Sequence, residues 1–168
     1  MSSFGVAILI VLISIVFDLQ AKKNNELVIY QSDKTNVLAV FSGSRYTQFS
    51  DTVPDDRLQS TLRENRIYHD VIFKEDKQVS PVSLLVINRK KILFAKDVNL
   101  LSDIFIRAVK PDYVWIAGNA LTGKKLPQFL CGKENIVLSG KMRSKKNIAC
   151  ITNSYFTVKQ GAFILSLQ

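Results

Sequence analysis

Lys141, Arg143, Lys145 and Lys146 form the densest run of cations in this 168-residue chain. A helix is predicted over residues 141–151, and on it Lys141 and Lys145 share a face, with Ser144 and Asn147 adding neutral hydrogen-bonding groups. Such a face suits sequence-independent contact with a nucleic-acid backbone and strong salt dependence. A solvated helix face would carry the same residues. Gly118, Gly123, Lys124 and Lys125 make a second group, a Gly- and Lys-bearing loop after an apolar run. Its spacing matches neither GxxxxGK[ST] nor GxGxxG, so it reads as a strand-to-helix loop whose backbone amides could still hold a phosphate. The one histidine, His69, precedes Asp70, the pairing from which an oriented general base is built. No Ser or Cys nucleophile stands beside it, and it reads as a turn histidine near a helix end. Cys131 and Cys150 lie in apolar surroundings (QFLC, NIAC) without a CxxC pair. A structural zinc site needs four ligands, so none is expected. The two cysteines read as buried free thiols, a disulfide being open to them only outside the cytoplasm. No catalytic residue, metal or cofactor is expected.

The formal net charge of +9 is unevenly spread. Residues 1–103 carry 13 Lys/Arg against 12 Asp/Glu, and residues 104–168 carry 10 against 2, the acids being Asp112 and Glu134. A basic part beside a neutral one points to an anionic partner, nucleic acid or lipid headgroups. A generally basic, solubilising surface is the plainer account.

The residues must be positioned by a body that follows a greasy start. The first 17 residues carry no charge, and Phe4 to Phe17 (FGVAILIVLISIVF) is almost wholly apolar, before Asp18, Lys22 and Lys23. A bilayer core takes about 20 helical residues. Residues 1–22 reach that if Asp18 sits at the interface and the lysines snorkel. A secretory signal would want basic residues first and a small-x-small cleavage site; Met1-Ser2-Ser3 and Leu19-Gln20-Ala21 supply neither. A core helix would show a polar face. The expected organisation is one transmembrane helix, 1–22, and a soluble domain, 26–168. The lysines after the helix favour a cytoplasmic domain by the positive-inside rule.

Short β-branched runs predict strands at 26–31, 36–41 and 45–49, and Pro54, Asp55 and Asp56 open a helix to about Arg66 with Leu58 and Leu62 on one face. Val71–Phe73 reads as strand and Lys74–Gln78 as a charged loop. Residues 82–87 and 92–95 form a hairpin around Asn88-Arg89-Lys90-Lys91. A helix is expected over 100–109, a strand over 112–117, a helix over 121–131 and a strand over 135–138. Residues 155–158 and 162–167 form a closing pair. Hairpins followed by alternating strands and helices predict an α/β (or α+β) fold, one mixed sheet with flanking helices.

The last third carries a specific pattern: Lys110-Pro111-Asp112-Tyr113-Val114-Trp115-Ile116, Gly118-Asn119, Cys131-Gly132-Lys133-Glu134-Asn135-Ile136-Val137-Leu138, and a close on Tyr155-Phe156-Thr157-Val158-Lys159-Gln160-Gly161-Ala162-Phe163-Ile164-Leu165. This resembles the carboxy-terminal region of ComEC competence proteins of the Bacteroidetes type, polytopic membrane proteins linked to uptake of transforming DNA. The resemblance runs over essentially the whole chain and implies a metallo-β-lactamase-like domain. In that fold the strand corresponding to PDYVWIA leads into a metal-binding HxHxDH loop. Here the loop reads Gly118-Asn119-Ala120-Leu121-Thr122-Gly123-Lys124, with neither His nor Asp. Where an acidic, Asn-containing turn would follow the IVL strand, the chain has Ser139-Gly140-Lys141. The resemblance therefore implies a degenerate, metal-free domain.

The expected function is a non-catalytic, membrane-anchored domain of ComEC type in the inner membrane, assisting passage of single-stranded DNA by backbone contacts. Lys124, Lys125, Lys141, Arg143, Lys145 and Lys146 are the candidate contacts. The bilayer is a partner through residues 1–22, and a polytopic channel protein would supply the pore. The resemblance places the domain on the outer, periplasmic side, against the positive-inside vote. Two rivals stay open: an anchored module binding anionic lipid or an acidic protein, and a truncated, non-functional remnant.

Overall fold

A computed structural model describes residues 6, 8–15, 25–31, 35–117, 127–131, 135–139, 154–156 and 162–167. Residues 8–15 form helix α1, and their apolar side chains from Ile8 to Ile13 are 47–58% exposed. Ser14 Oγ donates to Ile10 O, so the one polar side chain is satisfied within the helix. Among the described residues no helix is long and apolar enough to cross a membrane. The span expected over 1–22 falls partly outside them.

Among the described residues ten strands form two mixed sheets, where the sequence predicts one. The first sheet has the order β10-β1-β2-β3-β4 and the second β5-β6-β7-β8-β9. In the first, β1 (Asn25–Gln31), β2 (Asn36–Ser42) and β3 (Arg45–Ser50) form an antiparallel meander. β10 (Phe163–Ser166) adds to the outer edge of β1, antiparallel. On the far side β4 (Phe73–Gln78) pairs with β3 in parallel. In the second, β5 (Val82–Ile87) and β6 (Lys90–Ala95) make the expected hairpin, with Asn88 and Arg89 both at positive φ, as a two-residue turn matching strand twist requires. β7 (Tyr113–Ala117), β8 (Ile136–Ser139) and β9 (Ser154–Phe156) follow in parallel.

Three apolar clusters stack these layers. Leu27, Ile29, Leu38 and Val40 of the first sheet meet Ile92, Phe94, Trp115 and Val137 of the second. The opposite face of the first sheet, Val28, Tyr30, Val37, Ala39 and Phe41, packs on Leu58 and Leu62 of α2 (Asp56–Tyr68). The outer face of the second, Leu93, Val114, Ile116, Ile136 and Leu138, packs on Ile106 of α3 (Asp103–Val109) and on Val98, Leu101 and Leu130. The layer order is helix, sheet, sheet, helix. Strands buried on both faces explain the continuous apolar runs VLAVF and VWIA.

Helices α2 and α3 each begin at a side-chain cap. Asp55 caps α2, its carboxylate accepting from Leu58 N at 2.9 Å, and Ser102 caps α3 by accepting from Phe105 N at 3.1 Å, satisfying donors the helix leaves open. Lys110 ends α3 in the left-handed conformation, just before Pro111.

Several expectations change. Lys74–Gln78 is strand rather than loop: β4 is an edge, fully exposed, and neighbouring charges pair along it as Lys74–Asp76 (2.7 Å) and Lys77–Glu75 (3.2 Å). Charges on an edge strand hide the apolar alternation that identifies a strand while guarding against unwanted pairing. The helix expected over 100–109 splits into a 3-10 turn, Val98–Leu100, and α3, because Ser102 caps in extended conformation. Of the helix expected over 121–131, residues 121–126 lie outside the described residues and Gln128–Leu130 is a 3-10 turn behind Pro127. The expected closing pair does not pair with itself: β9 lies beside β8 and β10 beside β1, in different sheets. Cys131 is disulfide-bonded, not a free thiol; the other cysteine of the sequence, Cys150, lies outside the described residues.

Candidate functional site

The parallel strands of the second sheet all end on one side, the place where α/β sheets usually hold ligands. The start of β2 and the end of β3 reach the same side. There the interface between the sheets, apolar elsewhere, turns polar. Trp115 Nε1 donates to Ser139 Oγ at 2.8 Å, Ser139 Oγ donates to Asn36 Oδ1 at 3.0 Å, and Asn36 Nδ2 donates to Asp51 Oδ2 at 3.0 Å. Asn36 N also donates to Asp51 Oδ1 at 3.0 Å, and Lys96 Nζ stands 3.0 Å from Asp51 Oδ2. Thr52 Oγ1 lies 3.3 Å from Asp51 Oδ1 and 3.2 Å from Thr35 Oγ1, and Thr35 donates to Val53 O at 3.3 Å.

Each member comes from a strand boundary. Asn36 is the first residue of β2, Asp51 follows β3, Lys96 follows β6 and Ser139 ends β8. Trp115 lies one layer deeper, against Phe94 at 4.5 Å between ring centres. The donors all run in one sense towards Asp51, an arrangement in which successive bonds polarise one another.

The Asp51 side chain is only 2% exposed, against 37% for Lys96. Burial alone would raise its pKa. The hydrogen bonds from the Asn36 backbone and side chain, and then Lys96, outweigh burial and hold the carboxyl below its ordinary value. A carboxylate has about four acceptor positions, and here both oxygens receive donors from two sides. Asp51 is thus an ionised anchor with no oxygen turned towards solvent, a poor general base. Ser139 is fully buried, its hydroxyl engaged both as acceptor and as donor. The arrangement ties strand ends together.

The sequence-predicted contacts Lys124, Lys125, Lys141, Arg143, Lys145 and Lys146, with Gly118 and Gly123, lie outside the described residues. The residues that precede their two segments are described. Ala117 and Ser139 are register partners on neighbouring strands, about 4.8 Å apart. The last described residues before segments 118–126 and 140–153 therefore stand side by side at the Asp51 end of the second sheet.

His69 is far from this end. It caps the carboxyl end of α2, stacks on Phe41 at 4.1 Å and stands 3.8 Å from Glu26 Oε2. Asp70, expected as its possible orienting partner, has positive φ and its backbone N–H bonded to Ile67 O, while the carboxylate recorded against His69 is that of Glu26. Among the described residues no group of three or more His, Cys, Asp or Glu could hold a metal.

Sequence reading missed Asn36, Asp51, Lys96 and Ser139 as a group. The signal available was positional: a single polar residue at the boundary of each apolar run, Asn36 before VLAVF, Lys96 after ILFA and Ser139 after IVL.

Compared with protein-family models, curated proteins and solved structures, the chain finds no match.

Proposed function

We propose that the chain is a membrane-tethered, non-catalytic body of metallo-β-lactamase-like descent, of ComEC type, that holds single-stranded DNA by its phosphate backbone. The observation that carries this reading is the adjacency of Ala117 and Ser139. It puts side by side the two described residues that precede in sequence the two Lys-rich segments, which hold Lys124, Lys125, Lys141, Arg143, Lys145 and Lys146. The helix, sheet, sheet, helix layering and the mixed strand directions support the α/β part of this reading.

At the strand ends where that fold would carry metal ligands, Asp51 is committed to Asn36 and Lys96, and the loop after β7 has no His or Asp. The arrangement favours a binding role over hydrolysis. The exposed apolar side chains of α1 favour a bilayer as the tether. The disulfide at Cys131 favours an oxidising compartment outside the cytoplasm, in agreement with the resemblance and against the vote of Lys22 and Lys23.

The test uses the full chain in zwitterionic nanodiscs, which removes anionic lipid as a competitor. Single-stranded DNA should bind with an affinity that falls steeply with salt. Changing Lys141, Arg143, Lys145 and Lys146 together to Ala should flatten the log–log slope by up to about 3, four contacts at about 0.7 each. Binding that is absent, or indifferent to salt, rules the reading out.

A further inference from the structure

At the opposite end of the first sheet lies a surface that neither the core nor the Asp51 network uses. Ile67 and Tyr68 close α2 and Ile72 and Phe73 lead into β4; all four are 62–83% exposed. Such a concentration of large apolar side chains around one junction marks an interaction surface. It is rimmed by cations. Arg45 lies over the Phe73 ring at 6.0 Å, and Arg66 lies over Tyr46 at 5.5 Å. Arg63, Arg66 and Lys74, the last also paired with Asp76 at 2.7 Å on the surface, line an open cavity of about 380 Å³ with Ile67, Val71, Ile72 and one acid, Asp70. The backbone of the junction is fixed, Ile72 N and Phe73 N both donating to Ser44 O.

The register places this surface relative to the amino-terminal segment. Asn25 faces Ser42, Ser42 faces Arg45, and Arg45 faces Phe73. These four residues form one row across the sheet, about 14 Å from end to end. Asn25 is therefore at the same edge of the sheet as the patch. Only residues 18–24 separate it from Phe17, the last residue of the apolar run, at most about 25 Å of chain. The Asp51 end lies at the far end of the same strands.

We infer that the α2–β4 junction rests on the anionic surface of a lipid bilayer, with Tyr68, Ile72 and Phe73 dipping into the headgroup region and Arg63, Arg66 and Lys74 receiving lipid phosphates. Exposed aromatic and aliphatic side chains ringed by Arg and Lys are the combination that interfacial binding requires. Each cation near an anionic surface changes partitioning roughly fivefold. This rests on the reading of residues 1–22 as a membrane tether, and it turns the Asp51 end away from the bilayer.

The test places a reporter at each end of the full chain: Tyr68→Trp in the patch, and Val53→Trp at the Asp51 end, where Val53 is 84% exposed. Trp115, wholly buried, is common to both. Each protein is reconstituted into vesicles of phosphatidylcholine alone or mixed with phosphatidylglycerol, with brominated acyl chains as quencher. The tryptophan at 68 should lose emission in the anionic vesicles, and the one at 53 should not. Adding Arg63→Gln and Lys74→Gln should remove the loss while the protein still floats with the vesicles. Equal quenching at 53 and 68, an unquenched 68, or quenching indifferent to lipid charge overturns the inference. So does concentration-dependent shielding of 68 in detergent without lipid dependence, which assigns the face to a second copy of the chain. Failure to float with either vesicle defeats the tether itself and this inference with it; flotation with an unquenched 68 defeats this inference alone.

Discussion

Ser139 Oγ donates a hydrogen bond of 3.0 Å to Asn36 Oδ1 across 103 residues of sequence, joining the last residue of β8 to the first of β2 and so one sheet to the other. Around it the contact between sheets is apolar, and apolar contact is non-directional. This buried polar link of fixed length, with the Lys96–Asp51 pair beside it, limits how far one sheet can slide on the other, because any slip strands Trp115 Nε1, Ser139 Oγ and Asn36 Oδ1 together.

Ser139→Ala removes a partner from both Trp115 and Asn36. Leaving buried polar groups unsatisfied costs about 1–3 kcal/mol each, so the variant should unfold at distinctly lower urea. Trp115→Phe in the Ser139→Ala background deletes one orphan and should cost less than the sum of the two changes made singly. Additive losses in the urea midpoints would show that the bonds act independently.

Asp51 ties this link to pH. Its folded carboxyl is held low by Asn36 and Lys96 despite burial. A depressed folded pKa means the unfolded chain binds the proton more readily. The stabilisation is therefore complete above the ordinary carboxylate range and is lost as pH falls through the folded value. Urea midpoints measured at descending pH should fall on that limb. Asp51→Asn, less stable at neutral pH, should show a flatter acid limb, and a limb as steep as the parent's would locate the titration elsewhere.

Leu62 and Ile67 lie on one helix with opposite fates: Leu62 is 2% exposed against the first sheet, and Ile67 is 71% exposed. Leu62→Ala should cost about 2–5 kcal/mol. Ile67→Ser should change stability by no more than about 0.5 kcal/mol. Thermal unfolding of the two variants separates a residue kept for packing from one that folding does not need.

The parts of this architecture that show in the sequence are those where the period of the pattern and the environment agree. β1, β2, β6 and β7 carry apolar runs because both faces of their sheets are covered there, and β3 alternates around the buried Tyr46 and Gln48. Leu58 and Leu62 stand a helical turn apart because one helix face is. β4 is invisible for the opposite reason: an edge strand exposed throughout has no buried face to write an alternation. The second sheet is illegible because an apolar strand looks the same whichever layer it joins, and β9 and β10, close in sequence, belong to different layers. The Asp51 network escapes because its members stand in four separate runs and meet only in three dimensions. Nothing about Ser139 beside Gly140 indicates a partner at Asn36.

β10 pairs with β1, and that connection has a temporal consequence. A ribosome delivers Asn25–Gln31 before the strand that covers its outer edge, Phe163–Ser166, which comes after every other strand among the described residues. Until then Glu26, Leu27, Val28 and Ile29 present open backbone to whatever is near. Synthesis thus leaves an unfinished seam along β1 that only the arrival of β10 closes.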